Sequence, residues 1–176
     1  MKLKLDLHTH CFEATGYRQA DRELVGKILQ QVKAAGLDGI AVTEHYDKSY
    51  GFLVQELVDR YFPGQVLIIP GQEISIWPVQ VVELYLPGEV TFRFLAHPGY
   101  PGDFTHSVNG LHGIELENPP HDWHINKQKV RETAEKHGLL LLKNSDAHAL
   151  EDIGHFYNLV SLEELVARAR GEFAQA

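Results

Sequence analysis

The segment Lys2-Leu3-Lys4-Leu5-Asp6-Leu7-His8-Thr9-His10 governs the architecture expected of this chain. Through Lys2–Leu7 charged residues and leucine alternate, the two-residue period of a strand with one buried face. Asp6, His8 and His10 stand at i, i+2 and i+4, so an extended backbone points all three the same way. Two imidazoles at a strand end can grip one ion, or one each of two adjacent ions. The carboxylate one step back is placed to hydrogen-bond a ligand or a backbone group. Histidine supplies 11 of 176 residues, so about 0.7 His-x-His pairs arise by chance. The pair therefore counts only in company.

The company is spread along the chain. Thr43-Glu44-His45 follows the short apolar run Gly39–Val42, and Glu73 follows Val66–Ile69 through Pro70-Gly71. His97, before Pro98-Gly99, ends Phe92–Ala96, and Ser145-Asp146-Ala147-His148 follows Leu139–Leu142. Singly, each has an ordinary explanation: a solvated loop carboxylate, a hydrogen-bonded loop histidine, or a Ser-Asp helix cap near Ala147. Five coincidences with strand ends do not. Asp122 and His124 repeat the Asp-x-His spacing away from any strand end and read as a decoy. His106, His112, His121, His137 and His155 read as ordinary surface histidines, and His121 with His124 as an exposed loop around Trp123.

Between these motifs strands and helices alternate without a linker or repeat, so residues 1–176 are expected to form one domain. Asp21–Ala35 carries Leu24, Ile28, Leu29 and Val32 at helix spacing, with Gly36 as its stop. Phe52–Tyr61 and Asn126–His137 read as helices, and Ser161 caps a last one through Arg170. Val81–Leu86 and Gly113–Glu117 complete the strands. The alternation predicts an α/β fold with a mostly parallel sheet curled into a barrel and a site at the carboxyl ends of the strands. The single cysteine, Cys11, excludes an internal disulfide. A formal charge of −8 without a basic stripe argues against nucleic acid as partner. The N-terminus holds no apolar stretch of signal-peptide or spanning length, so the expectation is a cytoplasmic protein without a membrane.

Imidazole and carboxylate donors together suit Zn²⁺, Mn²⁺ or Fe²⁺. Two such ions about 3.5–4 Å apart activate a water and clamp both oxygens of an in-line displacement, which is the chemistry of phosphoester hydrolysis. Arg18, beside Gly16, is the cation expected to pair bidentately with a substrate phosphate.

The ordered set Asp-x-His-x-His, Thr-Glu-His, Gly-x-Glu, His-Pro and Ser-Asp-Ala-His resembles the polymerase and histidinol phosphatase (PHP) superfamily, from Asp6 to His148. The resemblance implies a distorted (β/α)7-type barrel, here a shortened version, holding two or three divalent metal ions (Zn, Mn or Fe). It implies a metal-dependent phosphoesterase acting on a small-molecule phosphate ester. His8, His10 and Asp146 would share one ion, Glu73 would bridge to a second that also takes His97, and His45 and His148 would hold a third. The family's usual Asp or His after the first motif is missing from Cys11–Arg18. Glu13 is the expected substitute, ahead of Cys11. Gly113–Asn118 loosely matches another family motif and suggests Asn118 where other members use His. Asp146, His148, Glu73 and Arg18 are the expected catalytic set. An amidohydrolase would open on a similar His-x-His but bring a metal-bridging lysine, and no lysine stands at a middle strand end. A non-catalytic, metal-stabilised domain is the third possibility; degenerate members of that kind lose ligands, and this chain keeps most.

Overall fold

The lysine–leucine alternation forms the first strand, β1 (Leu3–Asp6), in a computed structural model that describes residues 1–172. The next helices are α1 (Cys11–Ala14) and α2 (Arg22–Ala34). Asp21 caps α2 by accepting from the Leu24 N–H, and the buried face is Leu24, Val25, Ile28, Leu29 and Val32. Strand β2 (Gly39–Val42) runs parallel to β1 and to β3 (Leu67–Ile76), with α3 (Lys48–Tyr61) as the crossover. Helix α3 begins four residues before the expected Phe52. Asp47 caps it through the Ser49 N–H, and Gly51, which reads as a breaker, lies inside it. A Cβ at Gly51 would stand 2.9 Å from the Val42 carbonyl oxygen, so glycine is what lets this helix lie close on β2.

The chain then omits crossover helices. Strands β3, β4 (Val79–Leu86) and β5 (Val90–Pro101) form an antiparallel meander, which is how so short a chain completes a barrel. Strand β6 (Gly113–Glu117) returns to parallel pairing beside β5, followed by a 3₁₀ turn (Pro119–His124), α4 (Lys127–His137) and β7 (Leu140–Lys143). Asn126 caps α4, and Gly138 ends it in the left-handed region at φ 66°. A second 3₁₀ turn (Leu150–Asp152) precedes β8 (Asn158–Val160) and α5 (Leu162–Ala169), capped by Ser161.

The strand order is β7-β6-β5-β4-β3-β2-β1-β8. Among the described residues four ladders are parallel and three antiparallel, and β8, antiparallel to β1, makes eight strands where seven were expected. The barrel is nearly closed by one side chain. Asn158 accepts from the Lys143 N–H (2.9 Å) and donates to the Lys143 carbonyl (3.0 Å), standing in for a ladder between β7 and β8.

Leu5, Leu7, Ala41, Ile69, Leu84, Phe92, Phe94 and Leu142 fill the barrel interior, and Leu165 of α5 and Val160 are buried with them. A second core lies between α2, α3 and the outside of β1–β3, and a third between α4 and the outside of β4–β7. The apolar filling holds the lower barrel rigid, and the polar residues at the carboxyl ends of the strands are set on top of it. No helix of the described residues is long and apolar enough to cross a membrane.

Candidate metal centre

Beyond β1 the backbone stays extended and locks onto the loop after β7. The His8 carbonyl accepts the Asp146 N–H (2.9 Å) and the Ala147 carbonyl accepts the His10 N–H (2.9 Å), with Thr9 bridged to Ala147. Asp6 does not reach the centre. Its buried carboxylate takes the Ser145 N–H (3.1 Å), the Ser145 hydroxyl (2.5 Å) and the Gly154 N–H (3.0 Å), pinning the Asp146 loop; burial raises its pKa to about 6. Asp146 (φ 51°) and His97 (φ 26°) both hold positive backbone angles. Such strain costs on the order of 1–3 kcal/mol and gathers where a side chain must be aimed.

Three donor atoms, of His8, His10 and Asp146, meet at one buried point, and Glu73 Oε2 lies beside the two imidazoles. His8 Nε2 lies 3.1 Å from His10 Nε2, 3.4 Å from Asp146 Oδ1 and 3.7 Å from Glu73 Oε2. His10 Nε2 lies 3.1 Å from Asp146 Oδ1 and 3.5 Å from Glu73 Oε2. A tetrahedral ion with bonds of about 2.1 Å has ligand–ligand edges of about 3.4 Å; the edges among His8, His10 and Asp146 are close to this. Asp146 Oδ1 is buried without a hydrogen-bond partner, as an oxygen reserved for a cation is. The residues present fit a divalent ion.

Glu73 extends the cluster to both sides. Its Oε1 is 2.9 Å from His97 Nε2, and its Oε2 is 2.9 Å from His45 Nδ1. On the solvent side His10, Glu13, His45 and His148 form a second group of converging donors, and on the other side His97, His121 and Asp146 form a third. His148 donates Nδ1–H to the Asp146 carbonyl (2.8 Å), which leaves its Nε2 lone pair for an ion.

The electrostatics follow. Burial alone would raise the Glu73 and Asp146 carboxyls, but the imidazoles around them hold both below the usual carboxylate range. Burial lowers His10 to about 4, keeping it in the neutral form that ligates. Burial also works against charge on His8, yet Asp146, Glu115 and Glu73 outweigh it and raise its pKa well above the ordinary value. The centre thus draws positive charge.

Glu115, quoted in the sequence only as part of a loose motif, is the hub beneath the cluster. It is fully buried and accepts from His8 Nδ1 (2.9 Å), Asn144 Nδ2 (2.8 Å), the His97 N–H (2.7 Å) and Asn118 Nδ2 (2.8 Å). Asn118 also donates to Asp146 Oδ2 (3.1 Å), so it bridges two carboxylates with its amide nitrogen, and its buried Oδ1 is unpartnered.

Two expectations need correction. His121, set aside as a loop histidine, stands with Nε2 3.9 Å from Asp146 Oδ2 and its ring 4.2 Å from that of His97. Cys11 lies in the core between α2, α3 and the sheet, where burial pushes its thiol up, so it is not placed as a ligand; Glu13 lies 3.6 Å from His45 and 3.9 Å from His148. Glu44 is structural too: its Oε1 takes the Phe12 N–H (2.9 Å), and burial raises it to about 7. Arg18 is exposed on the loop after Gly16, and its carbonyl accepts from the Tyr50 hydroxyl (3.2 Å). The decoy Asp122 pairs with Lys127 Nζ at 3.0 Å.

Such a barrel gathers imidazoles and carboxylates on one rim, in groups that could hold metal ions. The PHP-associated family model matches residues 124–171, which include the Asp146–His148 motif. PsfC from Pseudomonas syringae is similar in structure, with a TM-score of 0.66 and 18% identity over 94% of this chain and 88% of its own. A provisionally assigned metal-dependent phosphoesterase from Bifidobacterium adolescentis (TM-score 0.62, 13% identity) aligns over 93% of this chain and 96% of its own. An amidohydrolase from Chromobacterium violaceum, solved with sulfate and no metal (TM-score 0.62, 17% identity), gives the same coverage, 93% and 96%. No curated protein matches the chain. The family model supports a PHP relationship over residues 124–171, and the three solved structures show the same fold.

Proposed function

We propose that this chain hydrolyses a phosphomonoester of a small molecule. One observation carries the proposal: His8, His10 and Asp146 bring three donor atoms together at a buried point, with Glu73 Oε2 beside the two imidazoles. His8, His10 and Asp146 would hold one ion, Glu73 and His97 would serve a second, and His45 and His148 with Glu13 would take a third; Zn²⁺, Mn²⁺ and Fe²⁺ suit these donors. Bound there, divalent ions lower the pKa of water and neutralise charge gathering on phosphoryl oxygens. The chain's own residues contribute placement. Glu115 holds His8 in the tautomer that presents Nε2, Asn118 orients Asp146, and the Ser145–Gly154 grip of Asp6 fixes the loop. Without cations the carboxylates would repel a phosphate, so activity is expected to depend strictly on metal. Arg18, on the loop that follows Glu13, is the assigned phosphate ligand from the protein. Beside Asp146 and His148 a cavity of about 150 Å³, walled by Pro119 and Pro120, gives room for a small substrate.

Hydrolysis of an amide or lactone is the second reading, because one similar fold bears the name amidohydrolase. That structure also holds sulfate, a tetrahedral oxyanion like phosphate, which favours the phosphoester. The test is phosphate release from a panel of phosphomonoesters, amides and lactones, using metal-stripped protein with Mn²⁺ or Zn²⁺ restored. Metal-dependent release of phosphate, absent in Asp146→Ala, is expected. Turnover of amides or lactones alone would overturn the proposal.

A further inference from the structure

Five rings run in contact from the candidate centre to open solvent. His97 packs on His121 (centroids 4.2 Å apart), His121 stacks on Tyr100 (4.6 Å), Tyr100 meets His124 (4.9 Å), and His124 lies against Trp123 (3.5 Å). The inner end of the train is buried and the outer end open: His97 is 2% exposed, the His121 side chain 24%, Tyr100 39% and Trp123 82%, with His124 half-buried between the last two. The sequence explains the alignment. In a 3₁₀ turn residues three apart eclipse, so Asn118, His121 and His124 share one face of Pro119–His124.

The turn is held rigidly. Lys127 Nζ ties Asp122 (3.0 Å) to Glu117 (2.6 Å), and the turn opens on two prolines. A Cβ at Gly99 would stand 2.5 Å from the His124 carbonyl, so the end of β5 packs directly on the turn. A preformed surface loses little freedom on binding. The wider rim agrees. The most exposed aromatic side chains of the described residues are Trp77, Trp123, Tyr17 and Tyr46 (82%, 82%, 65% and 64%), and each follows a site residue (Glu73, His121, Glu13 and His45) by at most four positions. Exposed rings in mutual contact, as Tyr100, His124 and Trp123 are, mark a binding surface.

We propose that this train is a stacking subsite for a planar aromatic leaving group, so that the preferred substrate is an aryl-bearing phosphomonoester. The inference rests on the phosphoesterase reading above: with the phosphoryl group held at Asp146, the rest of the molecule extends along His121 and Tyr100 towards Trp123. Ring pairs at these spacings contribute beyond simple burial, which corresponds to about a fivefold preference over a saturated ring of equal size.

The chain has two tryptophans, so Trp77→Phe leaves Trp123 as the sole indole reporter. Zn²⁺-loaded Trp77→Phe protein is titrated with benzylphosphonate and with cyclohexylmethylphosphonate, neither of which is hydrolysed. Saturable change in Trp123 emission with benzylphosphonate, at about fivefold lower Kd, is the expected result. Calorimetry on Trp123→Ala should show that preference reduced. Equal affinities, no binding of either compound, or binding without an emission change would overturn the subsite. So would displacement of benzylphosphonate by an oligothymidylate that binds more tightly, which would point to single-stranded nucleic acid. Turnover separates this inference from the reading beneath it. Equal hydrolysis of benzyl and cyclohexylmethyl phosphates removes the subsite and keeps the phosphoesterase; ring-selective binding without hydrolysis of any ester does the reverse.

Discussion

Glu73→Gln is the sharpest perturbation, because the two Glu73 oxygens lie against members of all three donor groups: His8 and His10, His45, and His97. The substitution keeps the shape, removes the charge and turns one acceptor into a donor facing imidazole nitrogens. An ion that binds only the folded chain at about a thousandfold excess over its Kd adds about 4 kcal/mol of stability. An unfolding entropy of about 2.1 cal/mol/K per residue gives about 0.37 kcal/mol/K for 176 residues. Wild-type Tm should then rise by about 11 °C on adding Zn²⁺ to stripped protein. Loss of a direct ligand should weaken binding by at least the tenfold to hundredfold that outer partners cost. A hundredfold removes about 2.7 kcal/mol, or about 7 °C of the rise. Circular dichroism melts of stripped and loaded protein, wild type beside variant, measure this directly. Phosphate release should fall by about 10³ or more. A variant that keeps the full Zn²⁺-dependent rise would refute the bridging role of Glu73.

Three other outcomes follow from named contacts. Asn158→Ala removes the side chain that pairs β7 with β8, along with its bond to Asn144 Oδ1 (2.8 Å); a stability loss of about 2–4 kcal/mol in denaturant melts is expected, and one below about 0.5 kcal/mol would show the seam to be held otherwise. Glu115→Gln puts an amide where four donors need an acceptor: Zn²⁺ affinity should drop about tenfold to hundredfold, and ¹⁵N shifts should show His8 leaving the Nδ1–H tautomer, whereas an unchanged tautomer would contradict the hub. Glu83 ties three strands through Gln72, Arg93 and Tyr85; burial would raise its pKa, but those bonds lower it. Its stabilising share is present above the ordinary carboxylate pKa and lost as pH falls through the lowered one, so the gap between wild type and Glu83→Gln, below about 1 kcal/mol at this partly exposed site, should close on acidification; a gap that widens would reverse the sign.

Much of the barrel was readable because its signals are local. The Lys–Leu alternation, Asp21 and Ser161 as caps, and Gly36 and Gly138 as stops each act within a few residues, and the structure places them as expected. The candidate site was legible as a pattern because His8, His45 and Asp146 stand just past strands, whereas Glu73 and His97, expected at strand ends, lie inside the longer β3 and β5. What escaped depends on contacts distant in sequence. Pro70-Gly71 reads as a turn, yet β3 runs through it: a Cβ at Gly71 would lie 2.6 Å from the Glu83 carbonyl, so the glycine lets β4 pack close. No periodicity announces that Asn158 would close the barrel 15 residues after Lys143. His121 had a usable signal, since a 3₁₀ turn after β6 carries the face of Asn118 on to His121, but two prolines and a tryptophan made the segment look like an exposed loop. Glu115 looked like one more alternating strand residue, and only its four donors reveal its part.

The central claim is that these side chains form a metal centre, and the most direct measurement is anomalous diffraction from crystals soaked in Mn²⁺ or Zn²⁺. The account expects a strong peak within about 2.3 Å of His8 Nε2, His10 Nε2 and Asp146 Oδ1, with at least one further peak beside His97 or His45. Soaked crystals with no anomalous density between those three atoms would contradict it.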